Sequence, residues 1–179
     1  MKKMKYSILV FGMMFLAMSC SDDTVTPAGE DPKTAETTVV GVWNLASVEQ
    51  QNGKIKLAGQ LVSTFTSTSS NEVGTFEFKA NGDLTNTVAY TSSVSTITLG
   101  QEIKQDAAIP QTTTTGTYVF DKANNKLTMT NSVTKEVQNA DILELTANKL
   151  VFKDAYSRSV TQGGFETETS GEIVITLTR

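Results

Sequence analysis

The chain has 179 residues, with 15 lysines and arginines against 19 aspartates and glutamates, no histidine and one cysteine. Its acidic balance makes it a poor nucleic-acid binder and sets it against anionic lipid headgroups. The missing histidine removes histidine triads, histidine metal sites and the usual general base near neutral pH, and one cysteine cannot form an internal disulfide.

Met1-Lys2-Lys3-Met4-Lys5 opens an apolar run from Tyr6 to Met18 that stops at Cys20. A basic head, a short apolar middle and a small-residue zone make an export signal, and the run is too short to span a bilayer as a helix. The segment resembles bacterial lipoprotein signals, which are cut before a cysteine that is then acylated. That resemblance implies loss of residues 1–19, a fatty acyl chain such as palmitate on Cys20, and membrane attachment through this N-terminal lipid anchor. Three basic residues leave with the signal, so 12 basic against 19 acidic residues give the mature chain a charge of −7.

Residues 20–38 are rich in acids, threonine and proline and lack apolar periodicity, as a flexible tether does. As a coil it spans roughly 25 Å. Ser21-Asp22-Asp23 resembles the acidic signal that sends Bacteroidetes lipoproteins to the outer face of the outer membrane; an acidic spacer explains the same residues equally well. Asp23-Thr24-Val25 is similar to the O-glycosylation pattern of those bacteria, which implies a sugar on Thr24.

Residues 39–179 change to period-two alternation of β-branched and aromatic residues between Gly and Asn turns. Phe76 and Phe78 face one side of a strand while Glu77 and Lys79 face the other. Asn81-Gly82 predicts a type I′ hairpin that sets Phe78 beside Leu84. Further strands are predicted at 116–120, 126–130, 142–145 and 150–153, with a long ribbon from Tyr156 that turns near Gly163-Gly164 and ends at Arg179. With the opening strand from Gly41 there are about eight, each beside its sequence neighbour. The expectation is an all-β, eight-stranded antiparallel up-and-down barrel, with an open sandwich as competitor. Residues 52–72 and 92–115 resist assignment: they are either extended hairpin arms or mouth loops, with a helical turn expected over Gln101 to Ile109.

Gly41-Val42-Trp43 at the first strand resembles the Gly-x-Trp signature of the lipocalin-like lipoproteins of Bacteroidetes. The resemblance implies that Trp43 closes the barrel floor under a basic side chain near the end of the last strand. Arg179 stands there, on the parity of Ile173, Ile175 and Leu177. A guanidinium over an indole gains about 0.5–2 kcal/mol.

No residue constellation for catalysis stands out, and neither an enzyme, a metal nor a cofactor is expected. Glu166 and Glu168 share a face but read as a solvated acidic surface, and Asp121-Lys122-Ala123-Asn124-Asn125 lacks the spacing of a calcium loop. The inferred inward set is Phe76, Phe78, Leu84, Val88, Tyr90, Tyr118, Phe120, Leu127, Met129, Phe152 and Tyr156, with Asn86 and Arg158 on the same parity. The expected function is binding or carriage of a small apolar ligand such as a fatty acid, its head group oriented by Arg158 or Asn86. The alternative is a surface interaction lipoprotein with a filled barrel and a protein partner at residues 52–72 or 92–115.

Overall fold

The computed structural model describes residues 38–162 and 164–179; the export signal, Cys20, Ser21-Asp22-Asp23, Thr24 and Gly163 lie outside the described residues. Period-two alternation produces eight strands: β1 (Gly41–Leu57), β2 (Gln60–Phe78), β3 (Asp83–Thr98), β4 (Gln101–Asp121), β5 (Lys126–Asn131), β6 (Val137–Leu145), β7 (Lys149–Gln162) and β8 (Phe165–Thr178). Each pairs antiparallel with its sequence neighbour, and β8 pairs back onto β1 to close the ring. The expected all-β up-and-down barrel is the fold, without the crossing connections of a sandwich among the described strands.

Inward side chains fill the half of the ring where the chain enters and leaves. Trp43, Phe78, Leu127, Leu150, Phe152 and Leu177 are almost wholly buried there. Phe78 meets Tyr118 edge-on at 5.0 Å between ring centroids, and Phe76 meets Phe152 edge-on at 6.2 Å. Each fully buried side chain of this size contributes about 1.5–3 kcal/mol, so this floor carries much of the fold. The Arg179 guanidinium lies 3.9 Å from the centroid of the Trp43 ring. Its Nη1 donates to the Val40 carbonyl at 3.0 Å and its Nε to the Ala147 carbonyl at 2.7 Å, while Trp43 Nε1 donates to the Val39 carbonyl at 2.8 Å. One side chain thereby ties the chain entry, the β6–β7 turn and the C-terminus together.

Turn chemistry differs from expectation. Phe78 does pair with Leu84 across the Asn81-Gly82 hairpin, but only Gly82 takes positive φ, at +90°. The Gly82 N–H donates to the Lys79 carbonyl at 3.0 Å, and Lys79 N–H donates to the Asp83 carbonyl at 2.9 Å, the pattern of a type I turn followed by a glycine bulge instead of type I′. Two consecutive positive φ values occur instead at Ala58-Gly59 (+47° and +80°) and Leu99-Gly100 (+51° and +80°). Apart from the turns at Ala58-Gly59 and Leu99-Gly100, residues 52–72 and 92–115 are strand, forming the β1–β2 and β3–β4 hairpin arms. The helical turn expected over Gln101 to Ile109 is absent: that stretch pairs with β3 from Thr98 back to Tyr90, and ladder hydrogen bonds outweigh the weak local preference of Glu, Lys and Ala for helix.

Strand lengths are unequal, and this shapes the open half. β4 has 21 residues and β5 only 6, or about 70 Å of extended chain against about 20 Å. Above the short β5–β6 hairpin the wall is notched, flanked by the upper parts of β4 and β7.

Replacing Arg179 by Ala should lower the unfolding free energy by about 1–2 kcal/mol, since it removes the cation–π contact and leaves two carbonyls without their donor. Arg179→Lys should recover only part of this. Urea unfolding followed by the fluorescence of Trp43, the single tryptophan, checks both.

Candidate functional site

The side chains expected to line a ligand cavity divide into two groups. Phe76, Phe78, Tyr118, Met129 and Phe152 are buried in one cluster, with Tyr90 and Phe120 partly buried against it. Their side chains fill the floor half, because a ring of eight strands is wide enough either for its own side chains or for one small ligand, and here the side chains pack on one another. An apolar molecule would have to displace them, so the space for a ligand lies above, toward the open end. There the inner face turns polar: Ser63 and Thr98 hydroxyls are 2.7 Å apart, and Ser67 donates to Gln50 Oε1 at 3.2 Å.

A cleft of about 720 Å³ opens where β6 and β7 part, within the usual range for small-molecule sites. Their ladder ends at Asp141 and Lys153. Beyond it, Val137 to Ala140 pair with β5 alone, and Asp154 to Gln162 with β8 alone. Gln50, Phe65, Gln138, Asp154, Tyr156 and Arg158 line the gap. One side-chain contact bridges it: Arg158 Nη2 donates to Glu136 Oε1 at 3.5 Å. Arg158 is about half exposed and ion-paired, so its charge is not held in an apolar surround.

Both aromatic residues of the cleft lie against glycines. A Cβ on Gly53 would sit 2.7 Å from the Phe65 ring, and one on Gly171 would sit 3.0 Å from the Tyr156 hydroxyl. A Cβ on Gly53 would also meet the Phe65 carbonyl oxygen at 2.5 Å, and one on Gly171 the Gln51 carbonyl oxygen at 3.2 Å, so both glycines allow close backbone packing beside these rings. Four carboxylates (Glu136, Asp141, Asp154, Glu172) and two cations (Lys153, Arg158) border the opening, which makes it net acidic. Lys153 and Glu172 pair at 2.7 Å, and this contact holds the Glu172 carboxyl below its ordinary range. Burial pushes the Asp154 carboxyl up, opposed by the N–H groups of Ala155 and Asn139. Burial also raises the Tyr156 hydroxyl, opposed by the Arg158 charge. Among the described residues, no three Cys, His, Asp or Glu side chains converge where they could hold a metal ion.

Asn86 lies apart from this cleft. It faces Phe76 on one side and Thr114 on the other within the barrel. Asn86 Oδ1 and Thr114 Oγ1 are buried with no hydrogen-bond partner among the described residues. A second groove of about 520 Å³ lies on the outside of β2 to β5 among Thr85, Thr115, Thr117 and Thr130 and faces solvent.

Asp154 carried a readable signal, since it continues the inward parity of Phe152 and Tyr156. Gln50 and Phe65 did not, because register shifts between Asn44 and Glu49 and between Gln50 and Gly53 reset the alternation of β1 against β2.

Asp154→Asn should be more thermostable than the parent at pH 7. A carboxyl with a raised folded pKa contributes its stability below the ordinary carboxylate range and loses it as pH rises, so the difference should close on acidification. Melting curves across pH 3–8 read this directly. Thr114→Val should leave the unfolding free energy unchanged or raise it by up to about 1 kcal/mol, because a methyl replaces a buried hydroxyl without a partner; a clear loss in denaturant unfolding would mean that the hydroxyl is bonded.

No curated protein and no solved structure matches the chain. A family model described as lipocalin-like domain matches residues 39–152, from the residue that accepts the Trp43 indole hydrogen bond to the Phe152 ring of the floor. With a match over more than half of its length and a closed eight-stranded meander, the chain belongs to the lipocalin-like domain family.

Proposed function

We propose that this protein is an exported lipoprotein, held to the outer membrane by a lipid on Cys20, whose barrel binds a small molecule in the cleft between β6 and β7. The observation that carries the binding reading is the parting of these two strands over a cleft of about 720 Å³ that exposes Tyr156, Phe65 and Gln138 beside Asp154. Family membership supports it, since a lipocalin-like barrel is a small-ligand-binding fold.

The chemistry of the cleft bears on the ligand. A fatty acid needs an apolar tunnel and a free cation; here the apolar rings pack on one another, and Arg158 answers Glu136. With carboxylates in excess, a carboxylate ligand would be repelled. A neutral or cationic polar molecule with a flat apolar face suits the site better, its face against the aromatic side chains and its hydroxyl or amino groups toward Gln50, Gln138 and Asp154. The reading of an apolar ligand is therefore narrowed to an amphipathic one.

The test is a thermal-shift and calorimetric screen of the chain with neutral saccharides, aromatic amines and fatty acids. A binder from the first two groups should raise the melting temperature in proportion to its occupancy, and Tyr156→Ala should weaken it about tenfold or more. Binding by fatty acids alone, unaffected by Tyr156→Ala, would overturn the cleft as the site. Membrane attachment is checked by Cys20→Ala, which should move the protein from the membrane to the soluble fraction.

One observation favours a second reading, a surface interaction protein. Leu61, Leu99, Ile103 and Phe165 are all more than half exposed on the arms at the open end, where residues 52–72 and 92–115 would meet a protein partner.

A further inference from the structure

Above Thr115, the flank of β4 that faces away from β3 carries no strand. β5 pairs with β4 only from Gly116 to Asp121, and among the described residues the last backbone bond on that flank runs from the Ser132 N–H to the Thr115 carbonyl, at 3.0 Å. From Gln101 to Ile109, β4 bonds to β3 alone, and every residue from Gln101 to Ala108 is exposed. A free edge of this length is a template for another strand, which proteins commonly blunt with lysine, proline or a bulge. Pro110 lies in a register shift opposite Val88 to Tyr90 and ends the stretch, because it has no N–H to give. Lys104, however, is not left as a lone blocking charge.

The stretch Gln101-Glu102-Ile103-Lys104-Gln105-Asp106-Ala107-Ala108-Ile109 is complementary to itself when two copies are laid antiparallel about Gln105. Lys104 then falls opposite Asp106 and Asp106 opposite Lys104 on one face. On the other, Ile103 falls opposite Ala107 and Gln101 opposite Ile109. Opposite charges and apolar pairs directly across a ladder favour pairing, and like charges oppose it. Moving the centre to Lys104 sets Lys104 against Lys104 and Glu102 against Asp106; moving it to Asp106 sets Asp106 against itself. The charge pattern thus selects the Gln105-centred register over its neighbours. Asp106 has no ion pair among the described residues, and the 3.4 Å contact of Lys104 with Glu102 is largely exposed and readily exchanged. Ile103, more than half exposed, gains a neighbour.

We propose that the β4 edge from Gln101 to Ile109 is a self-association surface, on which a second copy of this chain adds the same strand antiparallel with a two-fold axis at Gln105. Such an interface is isologous and closes as a dimer, and it joins two six-strand walls, each running β4-β3-β2-β1-β8-β7, into one continuous sheet. The ring floor and the β6–β7 cleft are untouched by it, so dimerisation and ligand binding are separate properties.

Sedimentation velocity on the full chain in neutral detergent should give a dimer. In full-length Cys20→Ala protein, Gln105→Cys should form an interchain disulfide under mild oxidation while Ile103→Cys should not, because only residue 105 faces its own copy. Lys104→Asp and Asp106→Lys should each weaken dimerisation about tenfold or more, since each change acts at two symmetric contacts. The double variant Lys104→Asp/Asp106→Lys should restore it. A monomer with no selective cross-link at residue 105 would overturn the proposal, as would equal cross-linking at residues 103 and 105. Open-ended larger species would mean that β4 pairs with the free edge of β7 instead. Amide-exchange protection of Gln101 to Ile109 in a monomer would mean that the residues before 38 cover the edge, and either result would also overturn the proposal.

Discussion

The seam between β1 and β8 is where a meander of hairpins becomes a ring, and the rest of the structure depends on it. Seven hairpin ladders can form between sequence neighbours, but the eighth joins residues from opposite ends of the domain and must offset a large loop-closure entropy. It does so at the floor, where Leu45 pairs with Leu177 and Asn44 with Thr178, and where Trp43 is wholly buried beneath Arg179. Arg179 adds hydrogen bonds to the carbonyls of Val40 and Ala147, so closure is fixed where the apolar contacts are densest.

Closure at one end leaves the other free to vary. Side chains of Phe, Tyr, Leu and Met fill the floor, and past this level the inner face mixes hydroxyl and amide groups such as Ser63, Ser67 and Gln50 with separate apolar side chains such as Phe65 and Ile109, which lie outside the floor cluster. The strands differ most in length at this end. β5 and β6 stop early, β6 and β7 separate above Asp141 and Lys153, and the upper part of β4 is left with one neighbour. The cleft and the exposed β4 edge are two results of the same inequality.

Electrostatics follow this division. Ion pairs such as Lys56–Glu168, Lys149–Glu144 and Lys126–Asp141 lie on partly exposed side chains and are screened by water, so they add little to stability. Asp154 differs because it is half enclosed at the gap, where burial raises its carboxyl against the opposing backbone N–H groups of Ala155 and Asn139. The desolvation that raises its pKa is a cost the exposed pairs do not carry.

The residues themselves determined the strand class, the hairpin order and the floor. Alternation such as Phe76-Glu77-Phe78-Lys79 can bury one face only as a strand, and a period of two is a local property. Trp43 and Arg179 could be singled out by position and parity, and they stand in contact. Tertiary structure decided the turns, the arms and the site. Ala58 and Leu99 take positive φ because the twist of the paired strands requires a type I′ turn, against their own preference. Gln101 to Ile109 is strand because β3 offers a ladder. Gln50 and Phe65 reach the cleft through register shifts that no single segment encodes. The cleft itself exists because β6 and β7 lose contact, and a gap between strands depends on the lengths and bulges of all their neighbours, which no local pattern in the chain records.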